Sequence, residues 1–192
     1  MSDLLRHSPL DEVHLALGAR MAPFGGWEMP IQYKGVLDEH RACREDAVVF
    51  DVSHLGSLRV TGHGAKATLQ WAFTNDLDRI EAGRAQYTHL LDEVDAHVVD
   101  DIIVWWLADD EFIVMPNASN TEPLVTALHD AAALVGDGAC RVEDITDQRV
   151  VLAVQGPKAR ERLATVWPEA AVVPSFHVMP LTWQGDPAFA AG

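Results

Sequence analysis

The chain has 192 residues, 48% hydrophobic and 22% charged, the profile of a globular protein able to bury a sizeable core. Its 29 acidic and 14 basic residues leave a formal net charge of -15, which opposes electrostatic binding to nucleic acid or to an anionic membrane. The N-terminus lacks the apolar core of a secretory signal, and nowhere do about eighteen apolar residues run together, so the expected location is cytoplasmic.

The first helix is punctuated by Ser8 as a cap, Pro9 at its first position, Asp11 and Glu12 at its positive end and Gly18 beyond its end, with Leu10, Val13 and Leu17 on one face. Phe24-Gly25-Gly26-Trp27-Glu28-Met29-Pro30 reads as a structured loop in which the glycines permit tight turns and Phe24 and Trp27 pack. A second helix over 36–46 is followed by strands at 48–52 and 57–61. Between them, Ser53-His54-Leu55-Gly56 forms a turn, and His54 reads as a structural histidine. A third helix spans 65–73 and ends at Thr74-Asn75-Asp76.

Strands at 87–91 and 98–107 follow as hairpin partners, then a strand at 111–115 and a helix at about 123–134 with Pro123 in its first turn. A strand at 150–154 leads through Gly156-Pro157 into a helix reaching about 166. Helices mixed with short hairpin-connected strands define an α+β fold of antiparallel or mixed sheets with packed helices.

Asp100 and Asp101 interrupt the apolar strand Val98-Val99-Asp100-Asp101-Ile102-Ile103-Val104-Trp105-Trp106-Leu107. Strand alternation sends one carboxylate out with Val99, Ile103 and Trp105 and the other with Val98, Ile102 and Val104. A carboxylate in apolar surroundings costs several kcal/mol unless it is hydrogen-bonded, so each aspartate either caps a buried network or meets a ligand. The residues alone leave both alternatives open.

Phosphate-loop, GxGxxG, HExxH and GxSxG motifs are absent from the sequence, which leaves nucleotide hydrolysis, dinucleotide redox, zinc proteolysis and α/β-hydrolase chemistry without support. The nine histidines lack metal-ligand spacing, and no metal is expected. Cys43 and Cys140, far apart and without a CxxC, read as core thiols.

Six blocks then occur in one order. They are Gly18-Ala19-Arg20-Met21 with the 24–30 segment, Phe50-Asp51-Val52-Ser53-His54-Leu55-Gly56, Thr74-Asn75-Asp76, Asp100-Asp101-Ile102-Ile103-Val104 and Gln155-Gly156-Pro157. Together they resemble the aminomethyltransferase of the glycine cleavage system, its T-protein, and that enzyme's folate-dependent relatives. The resemblance runs from about Pro9 to the end of the chain. It implies the N-terminal folate-binding portion of the T-protein fold, with residues 1–50 and 140–192 in one subdomain and 51–139 in a second.

The resemblance also implies that the chain stops about where a TGYTGE-like motif would begin and lacks a C-terminal β domain. Apolar surface is then expected to be exposed and the tail at 178–192 to be poorly anchored.

The activity so implied transfers a one-carbon unit from an aminomethyl group on the lipoyl arm of H-protein to tetrahydrofolate, with release of ammonia. Asp101 is implied as the catalytic and folate-contacting carboxylate near developing positive charge, with Asp100 as its structural neighbour. Leu55, Tyr87 and Asn117 are implied as folate-pocket residues. On the residues alone, Tyr87 also reads as a half-buried strand tyrosine and Asn117 as a turn or capping residue.

Leu55 replaces a methionine of the family pattern, residues 92–97 replace a glycine-containing turn, and Trp105-Trp106 is bulkier than the pattern. These departures keep in play a demethylase of another N- or S-methyl donor, and the missing second half implied by the resemblance keeps in play a folate-binding or regulatory module without turnover. Arg20, Lys34, Arg59, Lys66, Arg79 and Arg84 are candidates for a local basic patch that would attract an acidic folate tail.

Overall fold

The structure is a computed structural model that describes residues 5–136 and 140–192. Residues 1–4, on which the reading of the N-terminus partly rests, and 137–139, beside the subdomain boundary drawn at 140, lie outside the described residues. No helix among the described residues is long and apolar enough to cross a membrane. The chain forms two compact units, Met1–His54 with Asp147–Val172 and Leu55–Thr146 with Val173–Gly192.

In the first unit, β1 (Arg6–His7) pairs in parallel with β3 (Trp27–Gln32), which pairs antiparallel with β2 (Arg20–Phe24). The segment expected as a loop is therefore a hairpin. Gly25 and Gly26 both adopt positive φ, +56° and +83°, as the two-residue turn joining twisted strands requires. The helix α1 (Asp11–Ala16) also differs from its sequence pattern: Val13 and Leu17 stand exposed, and His14 is its buried residue. A hydrogen-bonded partner of high affinity for imidazole, described below, overrides the apolar stripe. The unit is completed by α2 (Val36–Glu45), the antiparallel pair β4 (Val48–Asp51) and β10 (Leu152–Gln155), and the short helices α5 (Ala159–Ala164) and α6 (Pro168–Ala171). Gly156 is required where the chain crosses α2, because a Cβ there would lie 2.4 Å from the Asp46 carbonyl oxygen.

The second unit is built on a five-stranded antiparallel sheet in the order β6 (Arg84–Leu91), β7 (Val98–Ala108), β8 (Glu111–Met115), β5 (Leu58–Thr61), β9 (Arg141–Asp144). One face packs on α3 (Ala65–Ala72) and α4 (Thr121–Val135), where Leu69, Leu124 and Leu128 meet Val60, Ile102, Val104 and Phe112 in the main core. The opposite face carries Ala85, Trp105, Ile113 and Met115, which cluster with Val178 and Phe189 of the hairpin formed by β11 (Val178–Trp183) and β12 (Asp186–Ala191).

The tail is therefore anchored, contrary to the expectation from sequence. Val178 is only 2% exposed, its N–H donates to the Gly83 carbonyl at 2.9 Å, and the N–H of Ala85 donates to the Phe176 carbonyl at 2.9 Å. Val178 and Phe189 supply the apolar contacts that hold the hairpin to the sheet. The cysteines are free and half-buried, not fully in the core. Leu17, Leu37, Val166 and Val172 in the first unit and Trp71 in the second stand exposed.

Candidate functional site

Asp100 and Asp101 lie on β7 just after a bulge. Leu90 pairs with Asp100, but Leu91 pairs with Val98, so Val99 is an extra residue between two registers. Strict alternation would put Val98 beside Asp100; instead Val99 packs toward the main core and Val98 is exposed. From Asp100 onward the alternation holds. Asp100 is 3% exposed on the face shared with Ile102 and Val104, while Asp101 is exposed on the face shared with Ile103.

The strand β8 stops pairing at Met115, opposite Ile103, so the chain turns beside the two aspartates through Pro116 and Asn117. Asn117 binds both. Its backbone N–H donates to Asp100 Oδ2 at 3.1 Å, and its Nδ2 donates to Asp100 Oδ1 at 2.7 Å and to Asp101 Oδ1 at 3.1 Å. The same Nδ2 lies 3.3 Å from the Asp101 carbonyl. Asn117 precedes a short 3₁₀ turn, Ala118–Asn120, that runs directly into α4, so a helix start holds it in place.

Leu55 is brought to the same turn. The N–H of Gly56 donates to the Pro116 carbonyl at 3.0 Å, and a Cβ at Gly56 would fall 2.5 Å from Thr121 Oγ1 and 2.6 Å from Pro116 Cγ. Only glycine allows this approach, which makes Leu55 and Asn117 neighbours of one close chain crossing. Leu55 itself is half-buried.

Tyr87 and His89 project from β6 on the exposed side, paired with Ile103 and Asp101 respectively. Tyr87 is 60% exposed, and its ring meets Phe176 edge to face with centroids 6.1 Å apart. Phe176 holds a left-handed backbone, φ +57°, uncommon for a bulky residue. The Thr74-Asn75-Asp76 block braces the outer edge of β6: the N–H of Thr74 donates to the His89 carbonyl, Asn75 Nδ2 to the Tyr87 carbonyl at 2.8 Å and Gln86 Nε2 to the Asp76 carbonyl at 2.9 Å. Asp101, Asn117, Tyr87 and Leu55 thus all belong to one unit, with His89 and Phe176 as two members that sequence reasoning missed. His89 carried a signal in strand alternation opposite Asp101; Phe176, far along the chain, carried none.

The DVSH segment does other work in the first unit. Asp51 Oδ2 accepts from Ser8 Oγ and from His14 Nε2, the latter at 2.7 Å, and Asp51 Oδ1 accepts from the Ser53 N–H at 2.9 Å. The Tyr33 hydroxyl sits 2.8 Å from His14 Nδ1 and donates to it in the neutral ring, because Nε2 faces an acceptor-only carboxylate and carries the proton. Burial pushes the Asp51 carboxyl up, but hydrogen bonds from Ser53, Ser8 and His14 together hold it below the usual carboxylate value. Burial also lowers the His54 imidazole against the opposing charge of Asp51, and Phe24 packs edge-on against it at 5.3 Å.

Of the expected basic patch, Arg59 pairs with Glu111 at 2.7 Å, Lys66 with Asp78 at 2.6 Å, and Arg84 contacts His177 at 3.1 Å, so three of the six cations are engaged locally. Two groups among the described residues have side chains close enough to share a cation, His7 with Asp11 and Glu28, and Asp92 with Asp95 and His97. The second is the 92–97 turn, where Asp92 Oδ1 accepts from the N–H groups of Val94 and Asp95, and Ala96 adopts the left-handed conformation, φ +60°, that a glycine would take most readily.

The sequence matches the model of the GCVT N-terminal domain over residues 10–191. The chain belongs to the GCVT N-terminal domain family. Among similar proteins, an aminomethyltransferase of Deinococcus deserti is 45% identical over 159 residues, 83% of this chain and 43% of that relative. An aminomethyltransferase of Parafrankia sp. is 48% identical over 161 residues, again 83% and 43%. The crystal structure of the glycine cleavage system aminomethyltransferase T from Bartonella henselae matches with a TM-score of 0.80 at 33% identity, over 91% of this chain and 47% of that one. A heterotetrameric sarcosine oxidase from Corynebacterium sp. U-96, 16% identical with a TM-score of 0.53, shares the fold alone.

The chain spans less than half the length of the curated relatives it matches. Within the GCVT N-terminal domain, the 24–30, DVSH, Thr74-Asn75-Asp76 and Gln155-Gly156-Pro157 blocks are accounted for by turns, knots and close crossings. The paired aspartates are the block that presents a carboxylate to solvent beside aromatic side chains.

Proposed function

We propose that this chain carries the folate-binding portion of a cytoplasmic aminomethyltransferase of glycine cleavage, with Asp101 as the carboxylate that faces the reacting one-carbon unit. The observation that carries this reading is the arrangement around Asp101: an exposed carboxylate, oriented by Asn117, beside the exposed ring of Tyr87, in a chain about 45% identical to aminomethyltransferases. The residues suit a folate. Tyr87 and Phe176 offer flat apolar faces for a planar ring system, Leu55 adds apolar surface, and Asn117 adds a hydrogen-bonding amide.

Tetrahydrofolate supplies the nitrogen nucleophiles that accept the one-carbon unit. Positive charge develops on the transferred carbon as the amine departs, and the Asp101 carboxylate stabilises that charge and orients the acceptor. Asn117 keeps the carboxylate in place, so little reorganisation accompanies charge development. The donor in this reading is the aminomethyl group on the lipoyl arm of H-protein: its carbon exchanges the C–N and C–S bonds for bonds to two tetrahydrofolate nitrogens, whose protons leave with ammonia and the dihydrolipoyl thiol, and the product is methylenetetrahydrofolate.

The test incubates the 192-residue chain with aminomethylated, lipoylated H-protein and tetrahydrofolate, and measures ammonia and methylenetetrahydrofolate beside a tetrahydrofolate titration. Turnover supports the full reading. Saturable binding without turnover favours a folate-binding module, and absence of both sinks the proposal for this chain.

A further inference from the structure

Asp100 is a buried carboxylate whose hydrogen bonds both come from one residue, the backbone N–H and side-chain Nδ2 of Asn117. Capping the turn requires only the first of these bonds. The second has a separate consequence. An asparagine amide has a donor end and an acceptor end of nearly equal size, and its orientation is set by what surrounds it. Here the near end lies 2.7 Å from one carboxylate oxygen and 3.1 Å from another, so an oxygen at that position would face two negative acceptors. The NH₂ group must occupy it, and Asn117 Oδ1 must point away. No described residue donates to that oxygen, and Asn117 is exposed.

We propose that Asp100 is a positioning residue that acts through Asn117. It locks the amide so that one N–H restrains the Asp101 carboxylate while Oδ1 is presented outward as an acceptor, which selects a ligand group bearing an N–H over one bearing a lone pair. This inference rests on the folate reading for the identity of the ligand. The locking of the amide rests on geometry alone.

The charge of Asp100, and not its shape, enforces the orientation. In Asp100→Asn the oxygen of the new side chain stays on the backbone N–H of Asn117, so its NH₂ takes the place of Oδ1 and confronts Asn117 Nδ2, and the acceptor that locked the amide is replaced by a donor that favours its turning. Asp100→Asn keeps the volume of the buried site, and a thermal melt checks that the variant is folded.

The first measurement needs no ligand. The Asn117 side-chain amide resonances, assigned by their loss in Asn117→Ala, are expected as a well-separated proton pair with slowed solvent exchange in the parent chain, collapsing toward free-amide behaviour in Asp100→Asn. Free-amide behaviour in the parent, or an unchanged pair in the variant, overturns the proposal. The second is a double-mutant cycle on tetrahydrofolate affinity. Asp100→Asn and Asn117→Ala are each expected to weaken binding about tenfold, and the double variant to be no weaker than Asn117→Ala. Additive losses, or parental affinity in Asp100→Asn, overturn the proposal. A parent chain that fails to bind tetrahydrofolate but shows the locked amide removes the folate reading and leaves the hold of Asp100 on Asn117 supported.

Discussion

Two buried carboxylates, Asp51 and Asp100, are handled in opposite ways. Asp51 is enclosed by donors from Ser8, His14 and Ser53, with Tyr33 behind His14, so its hydrogen-bonding capacity is consumed within its own unit. Asp100 is held by Asn117, whose side-chain amide donates to Asp101 as well and, in the proposal above, turns its acceptor end to the surface. A closed network stabilises a fold, whereas an open one prepares a site. In the proposed reading, the same residue type serves structure in one strand and prepares chemistry in the other.

The largest expected effect lies on the open side. Asp101→Asn, made in a turnover-competent aminomethyltransferase containing this chain, should lower kcat by about 10²–10³ or more while the melting temperature stays near that of the parent. A variant with parental turnover would break the contrast. On the closed side, Asp51→Ala should cost about 3 kcal/mol in urea unfolding, because it leaves several buried donors without an acceptor.

The Asp51 contribution also has a sign in pH. Its carboxyl is held below its unfolded value, so the stabilisation is complete above the ordinary carboxylate pKa of about 3.9 and is lost as pH falls toward the lower folded value. The stability difference between the parent and Asp51→Asn should therefore stay constant above the ordinary carboxylate range and shrink as pH falls below about 4. Convergence at neutral pH would show that the knot contributes nothing through its charge.

Gly56→Ala probes the crossing that sets Leu55 against Pro116. The added methyl meets Thr121 and Pro116 inside contact distance, and a cost of about 2 kcal/mol in stability with weakened tetrahydrofolate binding is expected. The smallest effect is Tyr33→Phe, which removes one hydrogen bond at the rim of the closed network and should cost about 1 kcal/mol with no change in folate affinity.

Much of the fold was legible because the local signals were strong. The helix expected at 36–46 is observed at Val36–Glu45, and the strand at 111–115 coincides with Glu111–Met115. The signals failed where a distant residue decided the outcome. The face of α1 is chosen by Asp51 through His14, which no periodicity within the helix reveals. The 24–30 segment reads as a loop because its two glycines and a proline mask a hairpin with strands of five and six residues. At the candidate site, alternation separated Asp100 from Asp101 correctly but missed the bulge at Val99, since a bulge depends on the partner strand. Phe176 lies in a turn far along the chain, so its place beside Tyr87 depends on tertiary contacts that no local pattern carries.

The brace along the outer strand of the five-stranded sheet carries a final consequence. Several backbone groups of β6 that face away from β7 are occupied, by Thr74 and Asn75 at one end and by Phe176 at the other. An incoming extended chain finds few free partners there, so strand-by-strand association into aggregates is blocked by the protein's own loops. Cleavage ahead of Val173 would free Ala85 from the Phe176 carbonyl and uncover one end of that edge.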